Sequence, residues 1–302
     1  MYCHLGAQKT GSSWLYRSVV TQHPDCIRGA LKEYHYFSSM DYHFRHDDAP
    51  SLAKARAHAD WRVTERVYSW RFPKPFVRGL NRLGIISYKT ALRGFNRGKF
   101  YADFTPNYAS VSPEIFDELK RFHPRMRFSF VMRDPVERLW SSIYHNIKHH
   151  SKNGVKLSQE NIEKIGNRAC EREFLMKLSE YERALECLAD IPADHKRVFF
   201  YEEFFEMSQI NQIWTMLEVE PIGKIDFSPI HVSDKKKQDM PLEWRRWAAT
   251  RLAPTYYKVE QAMGRALPKP WQESLKLADQ SLPVDINWAD YKRETKAVNV
   301  FV

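Results

Sequence analysis

The sequence predicts an α/β fold: a central, mainly parallel sheet flanked by helices. Two observations carry this. Four short, apolar, β-rich runs (Tyr2–Leu5, Phe100–Phe104, Arg127–Met132 and Arg197–Tyr201) read as buried parallel strands. Helical patterns fill the stretches between them, the alternation that crossover connections in a parallel sheet require. No internal repeat or low-complexity linker interrupts the 302 residues, so residues 1–302 are expected to form one domain.

The first strand runs into Gly6-Ala7-Gln8-Lys9-Thr10-Gly11-Ser12-Ser13-Trp14, and a helical run, Trp14–Gln22, follows. A strand, a glycine turn with a Lys and hydroxyls, and a helix N-terminus form a cradle for phosphate: main-chain N–H groups and the helix dipole both favour an anion. Lys9 adds a point charge; Thr10, Ser12 and Ser13 add donors. The usual nucleoside triphosphate loop carries Lys directly after its second glycine. Here Lys9 precedes Gly11 by two residues, so this loop is of another kind.

Residues 41–99 are read as a basic, helical insertion near the acceptor site. Residues 51–100 hold twelve Lys and Arg against two acids, Asp60 and Glu65, so this block carries the whole net charge of +10. Charge this localised points to an anionic partner (a nucleotide, an acidic glycan, a nucleic acid or a membrane surface) or to a solvated helical face. Beyond the second strand, Ser112-Pro113 starts a helix with Ser as N-cap. The strand 127–132 ends at Arg133, and Asp134-Pro135-Val136-Glu137 opens a capped helix over 135–149. Arg133 therefore projects at the strand's carboxyl edge, with Ser141 two turns along the helix. An Arg fork with a nearby hydroxyl suits a phosphate monoester, and an ion pair with a neighbouring acid is the alternative. Longer helices are expected at Gln159–Leu188, Glu202–Leu217 and Leu242–Met263.

Composition narrows the class. A hydrophobic content of 43% with 9 Trp, 18 Phe and 15 Tyr describes a folded globular chain, not a disordered one. No apolar run approaches the length of a membrane span, and no signal peptide is visible. Cys3, Cys26, Cys170 and Cys187 lie far apart, as free thiols of a reducing compartment would. A cytoplasmic location is expected, with a trimmed lumenal protein as the alternative. The histidines form no metal-like set.

Together the two phosphate segments resemble those of the sulfotransferases that use 3′-phosphoadenosine 5′-phosphosulfate (PAPS). Gly6–Trp14 is similar to their 5′-phosphosulfate loop. Arg133 and Ser141 keep the spacing of the Arg and Ser that hold the 3′-phosphate. Val198-Phe199-Phe200-Tyr201-Glu202-Glu203 resembles the family's F-Y-E-[DE], whose Tyr lies against the adenine. Trp14 matches the position where cytosolic members stack a Trp on the adenine; a core aromatic is the other reading. Lys32-Glu33-Tyr34-His35-Tyr36-Phe37 resembles the K-E-x-x-F-F of glycan sulfotransferases, and Asp103-Phe104-Thr105-Pro106-Asn107-Tyr108 their E-K-[ST]-P-x-Y. The likeness runs in order over about two-thirds of the chain, from residue 3 to 205.

The resemblance implies a three-layer fold of the P-loop nucleotide-binding type, PAPS as donor, adenosine 3′,5′-bisphosphate as product, and no metal requirement. Lys9 is expected to stabilise charge on the breaking bridge oxygen. Thr10, Gly11, Ser12 and Ser13 hold the 5′-phosphate, Arg133 and Ser141 the 3′-phosphate, and Trp14 and Tyr201 the base. Lys236, in Ser233-Asp234-Lys235-Lys236-Lys237, stands where members place a basic loop over the 3′-phosphate; a solvated charge run is as good a reading. Glu33 is the candidate general base, with a pKa expected to be raised by partial burial, and His35 is its rival; an ion pair of Glu33 with Lys32 or a nearby Arg is the alternative. Phe104 falls where glycan members carry a second catalytic Lys, so that cation is missing unless residues 51–100 replace it. The expected partner is a small-molecule or glycan acceptor, with an anionic saccharide favoured, rather than nucleic acid. A nucleotide-dependent small-molecule kinase, with Asp103 as its metal carboxylate, and a non-catalytic polyanion-binding module are the competing readings.

Overall fold

The computed structural model describes residues 1–46, 51–92, 98–152, 164, 166–168, 173–228, 239–291 and 293. The strands are β1 (Tyr2–His4), β2 (Cys26–Ile27), β3 (Phe100–Asp103), β4 (Arg127–Met132) and β5 (Lys196–Phe200). In chain order the helices are α1 (Ser12–Trp14), α2 (Tyr36–His46), α3 (Leu52–Tyr68), α4 (Lys74–Arg82), α5 (Tyr88–Leu92), α6 (Pro113–Arg121) and α7 (Pro135–Lys152). They continue with α8 (Glu173–Lys177), α9 (Glu182–Ala189), α10 (Tyr201–Phe204), α11 (Met207–Leu217), α12 (Leu242–Met263) and α13 (Lys269–Leu275). The chain divides into two compact units, Met1–Val131 with Cys187–His231, and Met132–Glu186 with Val232–Val302.

The first unit holds a parallel five-stranded sheet in the order β2-β3-β1-β4-β5. Register pairs Tyr2 with Ala102 on one side and Arg127 on the other. β1 is apolar and wholly buried because both its neighbours and both its faces are covered, as for any central parallel strand. On one face, Trp14, Leu15, Val19, Val20, Ile210, Ile213 and Trp214 pack with Tyr2, Phe104 and Val131 in a single core. On the other, Phe116 of α6 stacks on Phe128 of β4 at 5.8 Å. Parallel strands place the turns after β1, β3 and β5 at one edge of the sheet, where ligands of such folds bind.

Several elements differ from the sequence reading. β2 was not expected: two residues between Pro24-Asp25 and Arg28-Gly29 leave no apolar run to read. The helix expected over 14–22 begins at Ser12, and only Ser12–Trp14 is α-helical. Leu15–Val19 is a π-helix and Val20–Gln22 a 3₁₀ turn, in a stretch of β-branched and hydroxyl residues with poor α propensity. The expected Glu202–Leu217 helix breaks at Phe205-Glu206 into α10 and α11, which turns the Phe205 ring onto Trp14 at 4.9 Å. The Gln159–Leu188 helix is interrupted between α8 and α9, and residues 159–163, 165 and 169–172 lie outside the described residues. Ser112 occupies the N-cap of α6, but its hydroxyl makes no capping bond; its N–H donates to Asp41 Oδ1 at 2.7 Å.

In the second unit α7 starts as the D-x-x-E pattern predicts, with Glu137 N donating to Asp134 Oδ1 at 2.8 Å. α7 packs on α12, and Trp140, Trp244, Trp247, Trp271 and Trp288 fill the core between helices. Buried Arg138 is satisfied by neutral acceptors: its Nε donates to Ser179 Oγ at 2.6 Å and its Nη2 to the Leu175 carbonyl at 2.5 Å. Burial lowers its pKa to about 10, still far above neutrality.

One buried carboxylate organises the carboxyl edge of the sheet. Asp103 accepts hydroxyls from Tyr88 (2.6 Å), Thr105 (2.6 Å) and Tyr108 (2.9 Å). Tyr108 in turn accepts the Tyr36 N–H at 3.0 Å. Tyr108→Phe removes a donor from a buried carboxylate and an acceptor from a buried N–H. It is expected to destabilise the fold by about 2–3 kcal/mol in urea unfolding; a loss below about 0.5 kcal/mol would show that the network adds nothing beyond packing.

Candidate active site

The turn after β1 is shaped by main-chain bonds and by two glycines. Ala7 N donates to Val131 O at 2.8 Å and Val131 N to Gly6 O at 2.7 Å, so the chain stays laddered to β4 past the end of the strand. Gly6 has φ +117, and a Cβ there would lie 2.7 Å from the Pro106 carbonyl oxygen. Gly11 has φ +82, and a Cβ would meet Phe205 Cζ at 3.0 Å and Tyr201 Cε2 at 3.7 Å. Both positions need glycine for conformation and for close approach. Lys9, between them, is half-buried with φ +68, a left-handed position uncommon for a side-chain-bearing residue. Thr10 is spent on the turn itself, its hydroxyl donating to Ala7 O at 2.7 Å. Gly11 caps α1 with no side-chain bond, so the first N–H groups of the helix have no intrahelical acceptor.

A second ammonium lies at this loop. Lys32 Nζ donates to Ser12 Oγ and Ser13 Oγ, both at 3.1 Å, and to Glu33 Oε1 at 2.8 Å. The opposite carboxylate oxygen of Glu33 lies 3.3 Å from His35 Nε2. The segment is held from below. Phe104 N donates to Lys32 O at 2.9 Å, His35 N to Thr105 Oγ1 at 3.2 Å, and Arg66 Nη1 of α3 to Glu33 O at 3.0 Å. The structure thus brings together the loop hydroxyls, Lys32, Glu33 and His35.

This geometry corrects one expectation. Burial does push the Glu33 carboxyl upward, but hydrogen bonds from His35 and Lys32, with their charges, outweigh it and hold the pKa at about 2. The expected rise toward working pH is reversed. Where Phe104 leaves no cation, Lys32 places an ammonium at the loop hydroxyls. Phe104 is fully buried, packed against Tyr2, His4 and Tyr16. The Lys32-Glu33 ion pair, the alternative role weighed for Glu33, forms at 2.8 Å.

The remaining residues fall as follows. Trp14 is 2% exposed, with Phe204, Phe205 and Phe227 around it and its Nε1 donating to Asp226 O at 2.9 Å. It is a core aromatic, and an adenine would reach it only by displacing one of those rings. Tyr201 is half-buried at the start of α10, 5.0 Å from the Phe205 ring. Phe205, which no motif indicated, stands over Gly11. In the second unit Arg133 follows β4 directly; its guanidinium lies 3.6 Å from Glu137 and its carbonyl accepts the Tyr181 hydroxyl at 2.7 Å. Arg245 of α12, also unforeseen, donates to the other oxygen of Glu137 at 2.7 Å. Two guanidiniums thus share one carboxylate. Ser141 is half-buried on the second turn of α7. Lys236 lies outside the described residues.

A family model described as Sulfotransferase family matches residues 4–220, more than half of the chain and all of the β1 loop. The chain belongs to the sulfotransferase family. Among solved structures, a sulfotransferase from Alicyclobacillus acidocaldarius superposes with a TM-score of 0.60 at 19% identity, over 90% of this chain and 98% of that one. The sulfotransferase domain of the curacin biosynthetic pathway matches at 0.44 and 14%, covering 74% and 75%. The sulfotransferase domain of the Synechococcus PCC 7002 olefin synthase matches at 0.40 and 12%, covering 94% and 95%. No curated protein matches the chain. The family and the fold identify a transferase.

The Glu33 pairing has a pH signature. A depressed carboxylate pKa stabilises the fold above the ordinary carboxylate range, and that contribution is lost as pH falls toward about 2. With Glu33 as base, kcat/KM is expected to stay level from neutrality down to about pH 4. A loss of kcat/KM already near neutrality would instead remove Glu33 as the base.

Proposed function

We propose that the chain transfers a sulfuryl group from PAPS to a hydroxyl or amine of a small-molecule or glycan acceptor. The observation that carries this is the Lys32 ammonium, shared by Ser12, Ser13 and the Glu33 carboxylate. It joins an anion cradle to a candidate base within one charge network, beside Lys9. The donor set fits a phosphosulfate: two ammonium groups, two hydroxyls and an uncapped helix N-terminus.

PAPS supplies an activated sulfuryl group whose transfer loads negative charge onto the bridging oxygen. Lys9 is assigned to that oxygen, and the N–H groups and hydroxyls of Ser12 and Ser13 to the 5′-phosphate. Lys32 balances charge on the transferring group and holds Glu33 ionised. Glu33, or His35 beside it, takes the proton of the acceptor. A carboxylate at about pKa 2 is a weak base on its own; displacement of Lys32 toward an anion would release it from one partner and raise its basicity. Arg133 and Ser141 are assigned to the 3′-phosphate on their spacing, with Arg245 adding a second cation beside Arg133. Tyr201 is left as the adenine contact, and Trp14 is not used.

The kinase reading loses its metal ligand. Asp103 is fully buried, and both its oxygens accept hydroxyls. Burial raises its pKa, which those hydrogen bonds only partly oppose.

Adenosine 3′,5′-bisphosphate without metal is expected to raise the melting temperature, and ATP–Mg²⁺ is expected to leave it unchanged. The reverse pattern would reject the proposal. Arg133→Ala should weaken bisphosphate binding by about 2–4 kcal/mol, read by calorimetry. Lys32→Ala should lower turnover by roughly 100-fold; normal turnover would remove Lys32 from the mechanism.

A further inference from the structure

We propose that the segment from Trp70 to Ile85 docks this protein on an anionic lipid surface. The described residues leave ten large apolar side chains exposed, and five of them lie in these sixteen positions: Trp70 (80%), Phe72, Phe76, Leu83 (73%) and Ile85. Exposed apolar residues are ordinary when scattered; a contiguous cluster is an interface. The same segment carries Arg71, Lys74, Arg78 and Arg82, and the sequence has no acid from Arg66 to Ala102.

The helical phase sorts these groups. Along α4, Phe76, Leu80 and Leu83 recur at i, i+4 and i+7, while Lys74, Arg78 and Arg82 recur at i, i+4 and i+8. The two stripes lie on opposite sides of the helix. Val77, between them, is fully buried, and α3 is the helix on which α4 packs. Phe72 and Phe76 extend the apolar stripe as a ring pair at 5.6 Å. The basic side opens on a cleft of about 570 Å³ lined by His58, Asp60, Trp61, Arg78 and Arg82. Asp60, its one carboxylate, accepts the Tyr88 N–H at 2.8 Å. Lys74 is paired with Glu65 at 2.8 Å and Arg78 lies over the Trp61 ring at 4.7 Å; Arg71 and Arg82 are exposed.

An apolar stripe of Phe and Leu, backed by Lys and Arg and flanked in the chain by exposed Trp70 and Ile85, is the pattern of a helix lying in a membrane interface. Anionic headgroups attract the cations, and acyl chains take the apolar side chains. A second copy of the chain fits less well, since pairing through the apolar stripe would leave the exposed cations on the opposite side unused. Nucleic acid would leave Leu83 and Ile85 without stacking partners. No helix among the described residues is long and apolar enough to cross a membrane. Arg66, four residues before Trp70, donates to Glu33 O at 3.0 Å, so the docking segment adjoins the candidate base. The inference does not depend on the identity of the sulfuryl donor.

Vesicle flotation of the full chain tests it. Wild type is expected to float with phosphatidylcholine–phosphatidylglycerol vesicles, not with phosphatidylcholine alone, and less as salt rises. Trp70→Ser/Phe76→Ser/Leu83→Ser should bind at least about tenfold more weakly with an unchanged melting temperature. Arg71→Gln/Arg82→Gln should weaken binding to the anionic vesicles and reduce its salt dependence. The proposal is overturned if wild type does not float, or if the apolar variant floats as well as wild type. It is also overturned if sedimentation shows a dimer that the apolar variant dissolves, or if heparin retains the protein and vesicles do not.

Discussion

Asp103 is the constraint on which the rest of the site depends. A carboxylate removed from water must have its lone pairs met, and here Tyr88, Thr105 and Tyr108 meet them. Those donors come from α5 and from the turn after β3. Tyr108 and Thr105 then accept the Tyr36 and His35 N–H groups, and so fix the segment that carries Lys32 and Glu33. A network of this kind is worth most when complete, because each missing partner leaves a buried polar group exposed to a low dielectric. The position of the candidate base is therefore decided beneath it, not by the base itself.

What the network positions is a row of paired charges, Lys32, Glu33 and His35. Lys32 stands between the loop hydroxyls and Glu33, and its hydrogen bonds to Ser12 and Ser13 join the two halves of the first unit's site. Gly6, Lys9 and Gly11 all have positive φ, and this bends the chain sharply ahead of the helix N-terminus. Electrostatics arranged in advance is the kind of catalysis a sulfuryl transfer requires, since little covalent chemistry falls to the protein. The second unit supplies its own cationic feature, Arg133 and Arg245 on Glu137.

Much of this was legible in the sequence, for identifiable reasons. β1, β3, β4 and β5 are apolar runs, and the Asp134-to-Glu137 cap is a local pattern whose hydrogen bond forms as written. β2 is too short to leave a pattern, and the break at Phe205-Glu206 is decided by packing of the Phe205 ring on Trp14, which no local propensity encodes. The Glu33 pKa went the wrong way because burial is readable from neighbouring aromatics, whereas the partners Lys32 and His35 act through side-chain geometry. Trp14 illustrates the same limit: an aromatic after a phosphate loop reads equally as a ligand platform or as core, and only its enclosure by Phe204, Phe205 and Phe227 decides. Arg245 came from a helix with no motif at all.

The central claim is that one anion seat, the turn after β1, is shared by Lys9, Ser12, Ser13 and Lys32. A crystal structure with adenosine 3′,5′-bisphosphate tests it most directly. The account predicts the 5′-phosphate within hydrogen-bonding distance of the N–H groups and hydroxyls of Ser12 and Ser13, with the Lys32 ammonium between the phosphate and Glu33. A nucleotide bound away from this turn, or a Lys32 side chain directed away from both the phosphate and Glu33, would contradict it.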